Sequence, residues 1–418
     1  MPNYHIWTIG CQMNKSESER LGGYLEQLGF QAVAAAEQAD LIVLNSCVVR
    51  QSAENRVINK LSALRSLKSL RPDLTLAVTG CLVNSHLGQL KQKFPHVDYF
   101  FEPGGCPQWL GEAPSWPVAP EHPAPSVFVP IMQGCNNFCT YCIVPYRRGR
   151  ERSRPVTELV AEVSALVCRG AREVTLLGQN VDSYGHDLPE QPDLADLLHE
   201  LNNIDGLARI RFLTSHPKDM TTKLIDAVAT LDKVCEHISL PLQAGDDDIL
   251  KLMGRDYTAE KYRRLIAEIR DSVSDVALST DIIVGFPGET EEQFEHTIDV
   301  LAETGFDTVH VAAYSPRQGT IAARELEDNI PPQEKRRRLD KVEQLQENVV
   351  AEINQRLLGQ TLEVLVEGKK EDKWQGRTRT GKLVFFSGEG DCRGQLVQIY
   401  IEKASPWSLQ GSIEANNK

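Results

Sequence analysis

Several features are missing from this 418-residue chain, and each absence removes a class of function. No apolar run approaches the roughly 20 residues that a membrane-spanning helix requires. The first residues, Met1-Pro2-Asn3-Tyr4-His5, carry no basic-then-apolar leader pattern, so a cytoplasmic protein without membrane contact is expected. Positive charge is also short: 45 Lys and Arg against 58 Asp and Glu give a net charge of −13. That balance does not exclude a nucleic-acid partner, because binding depends on local basic clusters rather than on the whole-chain sum. The Gly-rich segment Gly285-Phe286-Pro287-Gly288-Glu289 lacks the Lys-Ser/Thr ending of a phosphate-binding loop, which excludes a nucleotidase reading.

What remains is an ordinary globular composition, 41% hydrophobic and 25% charged, on a chain long enough for two or three domains. The informative residues are the ten cysteines. In a reducing compartment, scattered cysteines serve as metal ligands, catalytic groups or core residues rather than disulfides. Six of them fall into two sets. Cys106, Cys168, Cys235 and Cys392 follow no such logic and are expected to be structural.

The first set is a compact loop, Gly134-Cys135-Asn136-Asn137-Phe138-Cys139-Thr140-Tyr141-Cys142, with the spacing C-x3-C-x2-C. Three thiolates on one loop can hold three irons of a [4Fe–4S] cube and leave the fourth iron open to a small molecule. The competing reading is a three-cysteine zinc site completed by a distant histidine. A basic run, Arg147-Arg148-Gly149-Arg150-Glu151-Arg152-Ser153-Arg154, follows at once. Beside a cluster loop it is a candidate substrate-contact surface, although Arg runs are commonly just solvated.

The second set is built by topology. Apolar strand patterns at Tyr4–Ile9, Leu41–Leu44 and Leu74–Val78 alternate with helical ones. One helix is expected to start near Ser16 through a Ser16…Glu19 capping box, and another covers Glu54–Leu70. This alternation predicts a doubly wound parallel sheet. Each strand runs straight into a cysteine, at Gly10-Cys11, Ser46-Cys47 and Gly80-Cys81. Ligand sites of such sheets lie at the carboxyl ends of the strands, so Cys11, Cys47 and Cys81 should meet at one edge.

Residues 103–126 are rich in Pro, Gly and Ala and read as a connector between a first domain at 1–102 and a core at 127–355. In the core, strand patterns at Val127–Ile131, Glu173–Leu177, Arg209–Leu213, His237–Leu240, Ala277–Val284 and Val309–Ala313 are separated by helical ones. Six such units predict a partial α/β barrel with its chemistry at the strand ends, where Gln179, Asn180, Ser215, His216, Gln243, Asp281 and Arg317 fall. Pro331–Leu358 reads as one long charged helix. Residues 356–418 then turn to short alternating strands that fit a five-stranded barrel of the oligonucleotide-binding kind. There Lys373 and Arg377, among other basic residues, suit phosphate pairing, and Trp374 suits base stacking.

The C-x3-C-x2-C loop with Cys142-Ile143-Val144-Pro145-Tyr146 and the Arg run resembles the radical S-adenosylmethionine (SAM) enzymes, and within them the tRNA methylthiotransferase family. Gly10-Cys11-Gln12-Met13-Asn14, Asn45-Ser46-Cys47 and Gly80-Cys81 resemble that family's N-terminal domain, and Gln375-Gly376-Arg377-Thr378 resembles its RNA-binding TRAM barrel. Where members have Asn-Thr-Cys, this chain has Asn45-Ser46-Cys47, which keeps the hydroxyl. Where they have Gln-Ser-Gly, it has Gln243-Ala244-Gly245, which does not.

The resemblance implies two [4Fe–4S] clusters, an auxiliary one on Cys11, Cys47 and Cys81 and a SAM-binding one on Cys135, Cys139 and Cys142. It implies SAM or substrate contacts at Gln179, Asn180, Ser215, Gln243 and Asp281, and RNA contacts at Arg147, Arg148, Arg150, Lys373, Trp374 and Arg377. The implied reaction places a methylthio group on carbon 2 of N6-isopentenyladenosine at position 37 of tRNA, bound through the anticodon stem-loop. One SAM would methylate sulfur held at the auxiliary cluster, and a second would yield the radical that activates the base. A flavodoxin or ferredoxin donor and a monomer are expected. Relatives within this chemistry act instead on threonylcarbamoyladenosine or on a ribosomal-protein aspartate. A zinc-stabilised, non-catalytic RNA-binding protein is the rival from another class.

Overall fold

The computed structural model describes every residue except 50, 84–86, 106, 112–119, 121 and 415–418. The first hundred residues form a parallel sheet in the order Gln31–Ala32, Asn3–Thr8, Leu41–Ser46, Thr75–Gly80, Tyr99–Phe100. This is the 2-1-3-4-5 order of a doubly wound sheet, whose ligand crevice opens where the strand order reverses. Leu41–Ser46 is buried at every position because helices cover both faces of its sheet, hence a continuous apolar run rather than an alternation. The two outer strands have two residues each and carry no readable period.

The first helix corrects the sequence reading. It spans Gln12–Gln27 and starts directly after Cys11, not near Ser16. The chain leaves the strand Asn3–Thr8 and must turn at once into its crossover, so Cys11, in extended conformation, takes the cap position. Ser16 is a buried residue inside the helix, and its hydroxyl donates to the Phe128 carbonyl at 2.9 Å. That bond joins the first domain to the first strand of the core.

In the core, Ser126–Pro130, Glu173–Leu177 and Arg209–Phe212 form one parallel group, and His237–Ser239, Ala277–Val284 and Thr308–Ala313 another. A parallel bridge between Ile210 and Val234 joins them into a six-stranded open barrel. The helices Val156–Cys168, Ala259–Ser272 and Glu291–Thr304 lie between these strands in sequence. The long helix Pro332–Gln355 packs along the last strand.

The C-terminal module is a closed five-stranded barrel, Thr361–Lys370, Lys373–Thr378, Leu383–Ser387, Leu409–Ile413 and Leu396–Ala404 in spatial order. It docks on the open barrel at the end opposite the candidate ligands. On the strand Arg209–Phe212, Ile210 and Phe212 enter the main hydrophobic core, while Arg209 and Arg211 point the other way. Arg209 donates to the carbonyl of Arg377 at 2.7 Å and to the Glu363 carboxylate at 2.7 Å. Arg211 donates to the carbonyls of Thr378 at 2.6 Å and Arg379 at 2.5 Å and to Glu173 at 3.0 Å. Arg379 pairs with Glu236 at 2.6 Å, and Lys382 with Asp307 at 2.6 Å.

Of the four cysteines expected to be structural, Cys235 and Cys392 are buried, Cys168 is exposed at a helix end, and Cys106 lies outside the described residues. Among the described residues no helix is long and apolar enough to cross a membrane.

Two candidate cysteine sites joined by an arginine

The strands Asn3–Thr8 and Leu41–Ser46 flank the reversal of strand order, and Cys11, Cys47 and Cys81 follow these two strands and Thr75–Gly80. Polar side chains fix the ends. Asn14 donates to Asn45 Oδ1 at 2.8 Å and to the Ser46 carbonyl at 3.0 Å, and Asn45 returns a bond to the Asn14 carbonyl at 2.8 Å. The Ser46 hydroxyl donates to the Thr79 carbonyl at 2.6 Å and accepts from Leu82 N at 3.1 Å, so it holds the turn that carries Cys81. Gly80 has φ +88°, and a Cβ there would lie 2.3 Å from the Ser46 carbonyl oxygen. Only glycine lets the two cysteine-bearing strand ends approach this closely. Burial pushes the Cys47 thiol up to about 11 and raises Cys81 as well.

The loop of Cys135, Cys139 and Cys142 lies at the carboxyl end of the open barrel. Gln179 Oε1 accepts from Gly134 N at 2.6 Å, the Gly149 carbonyl accepts from Cys135 N at 3.1 Å, and Thr140 N donates to the Met253 carbonyl at 2.9 Å. A Cβ on Gly134, at φ +84°, would lie 2.1 Å from the Arg150 carbonyl oxygen. Burial pushes Cys135 up to about 11 and Cys142 up to about 12. Binding a metal here would require these thiols to release their protons.

Each trio has one buried arginine donating to a sulfur. Arg255 Nη1 lies 3.5 Å from Cys139 Sγ, and its Nε donates to Tyr257 Oη at 2.9 Å. Arg148 Nε lies 3.2 Å from Cys81 Sγ while its two Nη groups pair with Glu17 at 2.7 and 3.4 Å. Burial opposes the Arg148 charge, but Glu17 and the Cys81 sulfur hold its pKa above the usual arginine value. Arg148 belongs to the short helix Val144–Arg148, which starts two residues after Cys142. It was expected on the RNA surface. It is instead turned inward, its side chain 3% exposed, because Glu17 on the first helix supplies the counter-charge.

Other expected contacts also fall differently. Trp374 is buried in the terminal barrel, with Nε1 donating to the Gly388 carbonyl at 3.2 Å, and offers no stacking face. Arg377 is exposed but donates to the Gly381 carbonyl at 3.0 Å and lies 3.4 Å from Glu367. Lys373 and Arg150 are exposed, and Arg150 sits 4.5 Å over the ring of the exposed Phe138. Arg147 is half-buried near Glu54 and Arg317. Gln179 braces the cysteine loop from behind. Asn180 donates to Asp219 at 2.7 Å, and its buried Oδ1 has no protein partner. The Ser215 hydroxyl is spent on Asp182 at 2.8 Å, and Asp182 also accepts from His216 N at 3.0 Å. His216 Nδ1 accepts from Lys218 N at 3.2 Å, and burial pushes this imidazole down to about 2, so it caps a turn and stays neutral. Gln243, in left-handed conformation at φ +73°, donates its N–H to the Asp281 carbonyl at 2.8 Å. Arg317 reaches the first domain beside Cys47, bonding the Val48 carbonyl at 2.5 Å, Gln51 at 2.6 Å and Glu54 at 2.5 Å. Glu17, Arg255 and Asp182 were not singled out from the sequence, where nothing but their place in space marks them, and Asn14 and Asn45 stood there only as members of the motif segments, without a role.

Among the described residues no three His, Cys, Asp or Glu side chains converge as ligands of one metal ion. Two all-cysteine trios, each with a cationic donor on one sulfur, suit the thiolate ligation of an iron–sulfur cube, and the orphaned Asn180 Oδ1 suits a ligand donor beside the loop.

The open six-stranded barrel with its cysteine loop defines a radical SAM enzyme. The radical SAM superfamily model matches residues 129–301, the model described as uncharacterized protein family UPF0004 matches 3–102, and the TRAM domain model matches 355–413. The TsrM radical SAM methyltransferase of Kitasatospora setae, solved with cobalamin and a [4Fe–4S] cluster, shares the fold at TM-score 0.52 and 13% identity, over 75% of this chain and 72% of its own. Full-length relatives are far more similar. The tRNA-2-methylthio-N(6)-dimethylallyladenosine synthase of Dehalococcoides mccartyi (strain 195) is 55% identical over 99% of both chains. The protein of that name from Chloroflexus aurantiacus is 50% identical over 99% of this chain and 93% of its own. The chain belongs to this family of radical SAM tRNA methylthiotransferases.

Proposed function

We propose that the chain adds a methylthio group to carbon 2 of N6-dimethylallyladenosine at position 37 of tRNA. In this reading Cys11, Cys47 and Cys81 hold an auxiliary [4Fe–4S] cluster, and Cys135, Cys139 and Cys142 hold the cluster that binds SAM. With SAM bound, such a cluster supplies the one-electron chemistry that an inert aromatic C–H bond requires. The chain's own residues orient and shield it. Gln179 and Gly134 fix the loop, Arg255 and Arg148 donate to the ligand sulfurs, and Asn180 Oδ1 offers an acceptor to a SAM donor group. Arg150 and Lys373, with Arg147 and Arg377 beside them, are the cations left to meet RNA phosphates. A flavodoxin- or ferredoxin-type donor, a monomeric state and a cytoplasmic location belong to the same reading.

The observation that carries it is the direct contact between the two cysteine regions, Arg148 Nε at 3.2 Å from Cys81 Sγ. A sulfur donor and a radical source must flank one base, and this contact keeps them adjacent. Anaerobic reconstitution should give a brown protein with about eight irons per chain. It should convert isopentenylated tRNA to the methylthio nucleoside seen by mass analysis. A colourless zinc-loaded protein, or an unmodified nucleoside with both clusters present, overturns the assignment.

A further inference from the structure

The Arg148–Glu17 pair does more than neutralise two charges. Glu17 lies on the helix that Cys11 caps, Cys81 directly follows the strand Thr75–Gly80, and Arg148 ends the helix that Cys142 leads into. A single guanidinium therefore contacts elements that position cysteines of both trios, using Nε for Cys81 and both Nη groups for Glu17. With side-chain exposures of 3% for Arg148 and 7% for Glu17, water is largely excluded from the contact. Planar fork geometry is what makes this a task for arginine: lysine has the charge but cannot address a carboxylate and a sulfur along fixed directions.

We propose that Arg148 is a positioning residue that couples the auxiliary cysteine site to the SAM-binding loop, holding Cys81 in register with Cys142 and tuning the auxiliary cluster through its sulfur. This rests on the two-cluster reading above. A cationic donor on a ligand sulfur stabilises the more negative, reduced cluster, so its removal lowers the reduction potential. The loop cluster, touched by Arg255 and not by Arg148, should keep its own.

The test uses the full-length protein, reconstituted anaerobically, with Arg148→Lys and the double variant Arg148→Gln/Glu17→Gln, which leaves no unpaired charge. Iron content, potentiometric titration followed by electron paramagnetic resonance, 5′-deoxyadenosine release and methylthio product are measured together. The expected result is about eight irons retained, with 5′-deoxyadenosine still released so that product can be counted against each SAM cleaved. The auxiliary potential should fall by at least about 59 mV, the one-electron equivalent of a tenfold change. Product per SAM cleaved should fall at least tenfold, with partial recovery in the lysine variant. An unchanged auxiliary potential with unchanged coupling of cleavage to product overturns the proposal. So does loss of all iron in both variants, which would make the pair a folding requirement only. A wild-type protein holding a single cube fails the functional reading instead, and the two failures are distinct.

Discussion

Replacing Arg211 by methionine should loosen the C-terminal barrel while leaving both cysteine sites intact. The substitution keeps much of the aliphatic volume but removes every donor. The Thr378 and Arg379 carbonyls lose bonds of 2.6 and 2.5 Å, and the buried Glu173 loses its nearest cation at 3.0 Å. Breaking a buried ion pair by deleting one partner costs about 3–5 kcal/mol. Glu173 keeps Ser126 Oγ at 2.8 Å and Arg209 at 3.9 Å, which places the expected loss at the lower end, about 3 kcal/mol. Urea unfolding followed by the fluorescence of the buried Trp374 should show this as a lower midpoint. Hydrogen exchange at residues 361–413 should accelerate by roughly 100-fold, with the first domain unchanged. Adding Glu173→Gln should restore part of the loss by removing the stranded charge. A loss under about 0.5 kcal/mol, or equal acceleration in residues 3–100, would refute the view that Arg211 acts through docking.

Three further outcomes follow, two from single positions and one from a pair. Burial pushes Asp182 from 3.8 up to about 7, so the folded state holds a proton that the unfolded chain has released. Its stability should therefore fall as pH rises from 3.8 to 7, by at most about 4 kcal/mol, and Asp182→Asn should flatten that decline in denaturation curves taken across this window. Gly134→Ala forces a Cβ to within 2.1 Å of the Arg150 carbonyl oxygen, so the reconstituted variant should lose about half its iron while the auxiliary site stays loaded. Arg150→Ser with Lys373→Ser should weaken tRNA binding and reduce the slope of log affinity against log salt by roughly 1.5. An unchanged slope would remove both side chains from the RNA interface.

Much of this arrangement was legible in the sequence because it rests on short-range order. The three cysteine-ended strands of the first domain and the six strands of the core stand within a residue or two of where their patterns put them, and the long helix ends three residues short of its expected end, since continuous apolar runs and 3.6-residue periods survive folding. Docking was not legible. Arg148 and Trp374 were assigned to an RNA surface by the company they keep in the chain, and both are turned inward by contacts that the run itself does not show, Arg148 by Glu17 across 131 positions and Trp374 by its place inside the closed barrel, where it bonds the Gly388 carbonyl. The Ser16 capping signature failed for the same reason, since the bond that decides its role is to Phe128, 112 positions on. A basic run reads as a surface only when nothing acidic waits opposite it. Here the first helix, which starts directly after Cys11, brings Glu17 to that place. Glu17 lies six residues after Cys11 and Arg148 six after Cys142, so each half of the buried pair is carried by a segment that starts at a cysteine of a different trio.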